Sequence, residues 1–172
     1  MTDADYENMS AFSCGEAKLD RFFRSEVREC VSHRYLSAYC ATIDSGEIVA
    51  AFTLMNDALM IPSEAEKEDF IGDLLFEVDE DIVDFFSRQT SYPAVNIGHL
   101  GTSEGFQHHG IGTAIIDLVV ETFAHNRQTG CQFVTVDAIN KSDVIKFYNK
   151  NLFSFQTEHD FYAPTRRMYR IL

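Results

Sequence analysis

The sequence predicts an α/β (α+β) fold, with strands and amphipathic helices following one another along 172 residues, and three observations carry that expectation. Residues 35–43 and 47–61 are two β-prone, aromatic-containing runs joined by Asp44-Ser45-Gly46, a turn of the kind that closes a hairpin. Residues 95–127 pass from an apolar strand through a glycine-bearing turn into a helix with apolar residues at i, i+3 and i+4. A second strand, residues 131–139, starts after Gly130.

Taken in order, the first element is a helix over residues 15–31, whose apolar face is formed by Ala17, Leu19, Phe22, Phe23, Val27 and Val31. Arg21, Arg24 and Arg28 form a cationic stripe on it, with Glu16, Asp20, Glu26 and Glu29 close enough in sequence to neutralise it. The hairpin follows, and the clean apolar pattern of its second strand ends at Leu54, Met55, Asn56 and Asp57, where an acceptor substrate could touch the sheet. Pro62 closes it. Residues 63–84 then place ten acids against Lys67, a local charge of -9. Phe70, Ile71, Leu74, Leu75, Phe76, Val78, Ile82 and Val83 lie among them, which argues against a disordered acidic tail and for one or two short helices. The acids then form a solvated outer face or a wall that attracts a cationic amine.

The helix over residues 110–126 packs through Ile111, Ile115, Ile116, Val119 and Phe123. The strand at 131–139 carries Asp137 where a buried strand prefers an apolar residue, so this carboxylate is expected to face a cleft. Ser142 or Asp143 is expected to cap a short helix running through Asn149. Residues 153–156 and 165–171 read as a closing antiparallel pair, with a second basic cluster at Arg166, Arg167 and Arg170.

At this length the chain is expected to be one domain, residues 1–172, with a core that needs neither disulfides nor a metal. Its net charge of -13 weighs against nonspecific attraction to nucleic acid or anionic lipid. Cys14, Cys30, Cys40 and Cys131 form no Cys-x-x-Cys pair, and the apolar runs fall well short of the ~20 residues of a bilayer span. A cytoplasmic protein with reduced thiols and no membrane partner is the expectation. No metal is expected either: His108 and His109 are adjacent, so their side chains diverge, and no third ligand stands at helical spacing.

The chemistry concentrates at the strand–turn–helix junction. A helix start leaves backbone N–H groups without intrahelical partners, and the aligned peptide dipoles add partial positive charge there, so the junction suits an anion. Gly110 and Gly112 have no Cβ and let a pyrophosphate approach the backbone. A nucleotide phosphate loop would need Gly-Lys-Ser/Thr, which is absent, and the spacing of Gly101, Gly105, Gly110 and Gly112 does not fit Gly-x-Gly-x-x-Gly.

What remains, Gln107-His108-His109-Gly110-Ile111-Gly112 after a strand, resembles the acyl-CoA pyrophosphate motif of the GNAT superfamily of N-acetyltransferases. The likeness continues in order over residues 95–155. Asn140 follows the second strand, and Phe147-Tyr148-Asn149-Lys150-Asn151-Leu152-Phe153 resembles a second GNAT signature, with Asn151-Leu152 replacing its glycine. The resemblance implies a mixed central sheet with a splayed strand pair at the acyl-CoA site. It also implies that the backbone of Leu100, Gly101 and Thr102 receives the acetyl carbonyl and pantetheine amides of acetyl-CoA. Gln107, His108, His109, Gly110, Ile111, Gly112 and Thr113 would receive the phosphates, and Asn140 the pantetheine arm. Tyr148 would protonate the departing thiolate, a phenol near pKa ~10 serving a thiol near ~8.5. His99, Glu104 and Asp137 are the candidates to accept the amine's proton.

The resemblance therefore implies transfer of an acetyl group from acetyl-CoA to a primary amine of a small molecule or protein. Phe12-Ser13-Cys14-Gly15, Leu19-Asp20-Arg21-Phe22-Phe23, Tyr92-Pro93-Ala94 and Thr135-Val136-Asp137-Ala138 also resemble the GNAT toxins of bacterial toxin–antitoxin modules, which acetylate aminoacyl-tRNA. The two arginine clusters would then serve tRNA, against which stand the net charge and the acidic segment. A third reading, a module that binds acyl-CoA without turnover, is disfavoured by the presence of Tyr148. The sequence leaves the acceptor, an antitoxin partner and a homodimer open.

Overall fold

The computed structural model describes residues 1–61, 63–74, 78–125 and 129–172, with the side chains of Ala65, Asp73 and Glu80 outside the description. Pro62, Leu75, Phe76, Glu77 and Asn126, which entered the readings above, lie outside the described residues. Six strands form one mixed sheet in the order β1-β2-β3-β4-β6-β5: β1 (Ser37–Thr42), β2 (Ile48–Met60), β3 (Ser91–Thr102), β4 (Phe133–Ile139), β5 (Ser154–Phe155) and β6 (Thr165–Ile171). The helices are α1 (Asp3–Asn8), α2 (Ala17–Arg21), α3 (Val27–Ser32), α4 (Glu64–Leu74), α5 (Glu80–Ser87), α6 (Ile111–His125) and α7 (Ser142–Lys150). The chain divides into two compact units, Met1–Asn56 with Asn96–His125, and Asp57–Val95 with Asn126–Leu172.

In the first unit, β1 and β2 form the expected antiparallel hairpin, and Gly46 takes φ +83° in its turn, a backbone angle glycine adopts without strain. The helix expected at 15–31 is interrupted: between α2 and α3 lies a π turn, Phe22–Glu26, closed by the Val27 N–H donating to Phe22 O. The wider turn accommodates two consecutive aromatics facing inward. Phe22 and Phe23 are both buried and contact each other edge-on at 5.4 Å, with Phe12 edge-on to Phe23 at 5.6 Å. Burying each such ring stabilises the fold by about 1.5–3 kcal/mol. Met9, Val27, Leu36, Ala38, Ile48 and Ala51 complete this core.

In the second unit, the acidic segment folds as expected into two helices. Phe70 and Leu74 of α4 and Phe86 of α5 turn inward onto Tyr92, Phe133 and Tyr169. The Tyr92 hydroxyl lies 2.9 Å from the carbonyls of both Phe86 and Gln89, which share its one proton and satisfy the polar tip of a buried ring. β4 pairs with β6 along its whole length, from Phe133 opposite Ile171 to Ile139 opposite Thr165, and β5 adds to the other edge of β6, giving the closing antiparallel pair. The expected cap of α7 by Ser142 or Asp143 is corrected: Lys141 occupies the N-cap and no side chain caps the helix. Its other end is capped by backbone bonds from Leu152 N–H to Asn149 O and from Phe153 N–H to Tyr148 O. Leu152 takes φ +63° there, the left-handed position where the resembling signature has glycine.

Candidate functional site

Within the first unit, β3 ends at Thr102, a short 3-10 turn (Glu104–Phe106) follows, and α6 begins at Ile111. The Ala114 N–H is the first α6 amide to bond back, to Gly110 O at 3.0 Å. The amides of Ile111, Gly112 and Thr113 therefore precede the hydrogen-bond ladder, as a helix start requires. Gly110 has φ +82° and no atom within 4 Å of where a Cβ would stand, so the backbone is open to an approaching group. His108 also takes a positive φ, +63°, and both His108 and His109 are exposed. His109 donates through Nδ1 to Gln107 O at 2.7 Å, since a carbonyl can only accept.

Gln107 differs from the expectation of a side chain facing phosphates. Its amide nitrogen donates to Cys14 O at 2.8 Å and to Thr102 O at 3.1 Å, pinning the loop onto the N-terminal Phe12-Ser13-Cys14-Gly15 segment. That segment is clasped further. Asp20 accepts from the Cys14 N–H (2.7 Å), the one proton of the Ser13 hydroxyl is shared between Asp20 (2.9 Å) and Glu104 (3.0 Å), and the Glu104 N–H donates to Ser13 O at 2.9 Å. Burial alone would raise Asp20, but these donors and Arg24 outweigh it and hold the carboxyl below its usual range. Gly101 lies close in the same packing: a Cβ there would stand 3.3 Å from the Cys14 and Leu19 side chains, which would have to give by a few tenths of an ångström. Leu100 and Thr102 are half-buried on the same strand.

His99, one of the three base candidates, has its ring stacked on Phe22 at 3.6 Å and 7°, with Nδ1 3.0 Å from the Thr53 hydroxyl. Burial lowers its pKa to about 4, against a smaller opposing pull from Glu26, so the ring is neutral at physiological pH. Glu104 is engaged by Ser13, as above. Asp137 is exposed and accepts from Arg167 at 2.8 Å.

In the second unit, Tyr148 is 8% exposed and its ring meets Phe147 and Phe153 edge-on at 5.1 and 5.3 Å. Burial raises the phenol above its ordinary value, which keeps it protonated. Among the described residues the hydroxyl has no hydrogen-bond partner, and burial is the one influence on it. Asn140 uses its side-chain amide nitrogen to hold the carbonyls of Phe161 (2.8 Å) and Ala163 (2.9 Å), bracing the segment that leads into β6.

Both arginine clusters are paired. Arg21 bonds Glu26 at 2.9 Å, Arg24 bonds Phe12 O at 2.6 Å, and Arg28 bonds Asp3 at 2.7 Å. Arg166 is buried against Asp160 at 2.5 Å, Arg170 donates to Asn151 O at 3.1 Å, and Arg167 bridges Asp57 and Asp137. Asp57 also accepts from Thr135 at 2.5 Å. Burial would raise Asp57, but the donors Thr135, Ala58 N–H and Arg167 together hold it below the usual carboxylate range. The only sequence sign of this network is an acid and a threonine standing in otherwise apolar strands.

No family sequence model and no curated protein matches the chain. Solved structures do. A tyrosine-to-phenylalanine variant of KacT superposes with a TM-score of 0.71 at 15% identity, covering 97% of this chain and 90% of that one. AtaTR bound with AcCoA gives 0.66 at 18% identity over 98% and 87%. AtaT complexed with acetyl-methionyl-tRNAfMet gives 0.66 at 16% identity over 92% and 85%. These neighbours are GNAT-fold toxins of toxin–antitoxin modules, and the chain has the GNAT fold. At these identities the likeness establishes architecture.

Proposed function

We propose that this protein is an acyl-CoA-dependent N-acetyltransferase whose cofactor cradle is the β3–α6 junction. The observation that carries the reading is the open backbone at Gly110 ahead of the Ile111, Gly112 and Thr113 amides, on a fold whose solved neighbours include AtaTR bound with AcCoA. Those amides offer donors and helix-dipole charge to a pyrophosphate without any cationic side chain. That suits a chain of net charge -13. Gln107, Ser13 and Asp20 set the loop rigidly in place. Leu100, Gly101 and Thr102 offer backbone to the thioester arm.

Amide formation needs a neutral amine to attack the thioester carbon, donors for the oxyanion, and a proton for the sulfur as the carbon–sulfur bond breaks. Tyr148 is assigned that last role: burial keeps it protonated, and no hydrogen bond among the described residues holds its proton elsewhere. Asn140, whose amide nitrogen is held by the carbonyls of Phe161 and Ala163, is assigned to the pantetheine arm through its remaining side-chain oxygen, as the resemblance implies.

The acceptor is a primary amine, of a small molecule or protein in the first reading. The second reading, the α-amine of an aminoacyl-tRNA, is favoured by the AtaT complex with acetyl-methionyl-tRNAfMet. Against it, every arginine of both clusters already has an intramolecular partner that offsets its charge, so phosphate contacts compete with those partners. A panel of polyamines, lysine peptides and charged tRNAs, each with acetyl-CoA and read as CoA thiol release, tests the assignment. Release with at least one amine is expected, and binding of acetyl-CoA with no release from any panel member would leave a binding module instead.

A further inference from the structure

The residue that the proposed chemistry leaves unassigned is His99, and its surroundings fix more about it than the sequence does. Thr53 is 0% exposed, and its hydroxyl finds one partner among the described residues, the Nδ1 of His99 at 3.0 Å. A buried hydroxyl proton left without an acceptor costs about 1–3 kcal/mol. The arrangement that avoids this has Thr53 donating to Nδ1. A neutral imidazole carries one proton, so that proton then sits on Nε2. Phe22, stacked face to face at 3.6 Å, fixes the ring plane, and the π turn that carries Phe22 fixes Phe22 itself. Nε2 has no partner among the described residues, and the ring that carries it is half-buried rather than sealed in the core.

We infer that His99 is a fixed hydrogen-bond donor beside Leu100, presenting Nε2–H to a carbonyl-type oxygen of the acyl group or of the acceptor, and is not the group that takes the amine's proton. This rests on the proposed acetyltransferase reading for its ligand, but not for its tautomer. The low basicity that burial imposes points the same way, because a ring that stays neutral down to pH about 4 is a poor proton acceptor. Glu26 is the one charged group felt at the ring, and its pull toward protonation is the smaller effect. A donor at this place also disfavours a cationic ammonium and admits an amine that arrives neutral.

Long-range proton–nitrogen NMR on the histidine-labelled protein reads the tautomer without any substrate. The expected result is Nε2–H at His99, unchanged from pH 5.5 to 8.5, with Nδ1–H becoming populated in Thr53→Val. An Nδ1–H tautomer in the native protein, or titration within that window, overturns the inference whether or not the protein is an acetyltransferase. The second arm compares His99→Gln, which keeps an N–H donor, with His99→Leu, which keeps only bulk against Phe22. About a tenfold to hundredfold loss is expected for Leu and partial retention for Gln. A loss in kcat assigns the oxygen to the developing oxyanion, and a rise in acceptor KM assigns it to the acceptor. Equal activity of native, Gln and Leu forms overturns the donor role. If acetyl-CoA fails to bind the native protein while the tautomer is as stated, the acetyltransferase reading fails and the tautomer assignment stands.

Discussion

Replacing Tyr148 by phenylalanine removes one oxygen from a ring held by Phe147 and Phe153. Because that oxygen has no hydrogen-bond partner among the described residues, its loss orphans nothing, and the stability change is expected to stay within about 0.5 kcal/mol. The catalytic cost is of a different size: a positioned general acid contributes about 10²–10⁴-fold, or about 3–5 kcal/mol of barrier. The assay is CoA release under saturating acetyl-CoA with an accepted amine, alongside thermal denaturation and acetyl-CoA titration of both proteins. An intact fold, unchanged acetyl-CoA affinity and a kcat reduced at least about a hundredfold are expected. Since burial raises the phenol above its ordinary value, the native rate is also expected to show no loss from tyrosine ionisation up to pH about 10. A Tyr148→Phe protein that turns over within a few-fold of native would refute the assignment.

Further expectations follow from particular backbone and charge positions. Gly110→Ala puts a Cβ into open space at φ +82°, so the fold should lose only about 1–2 kcal/mol while acetyl-CoA affinity falls at least tenfold; equal affinity in calorimetry would remove Gly110 from the cradle. Leu152→Gly relieves a left-handed leucine that is 69% exposed, and should raise stability by up to about 1 kcal/mol in urea denaturation; a destabilised variant would mean the leucine packs usefully. Asp57 is held below its unfolded value, so the stability it contributes is present above pH about 4 and is lost as the pH falls through its depressed folded value. Asp57→Ala should therefore cost about 1–3 kcal/mol at pH 7, leaving Thr135 and Arg167 short of their acceptor, with the gap to native narrowing toward pH 3; a gap independent of pH would contradict the sign.

Strand alternation, the Asp44-Ser45-Gly46 turn and the apolar spacing of α6 made the hairpin, the β3–α6 junction and the two acidic-segment helices legible, because each is a local pattern with its own period. The π turn was not legible, since two adjacent phenylalanines also fit a broad face of an ordinary helix. Side-chain roles that depend on distant partners were hidden in the same way. Gln107 reads as a phosphate ligand until Cys14, 93 residues away, takes its amide; His99 reads as a base until Thr53, 46 residues away, claims Nδ1. Asp20 reads as a neighbour that neutralises the arginine stripe, but its main partners are the Ser13 hydroxyl and the Cys14 amide. The arginine clusters read as a basic patch because sequence shows the cations and not the ion pairs of Asp3, Asp57 and Asp160.

Isothermal titration of the native protein with acetyl-CoA decides whether the β3–α6 junction is a cofactor cradle. Saturable heat with one acetyl-CoA per chain is expected, competed by free CoA through the shared pyrophosphate and greatly weakened in Gly110→Ala. Absence of heat up to millimolar acetyl-CoA, or binding that Gly110→Ala leaves untouched, would contradict it.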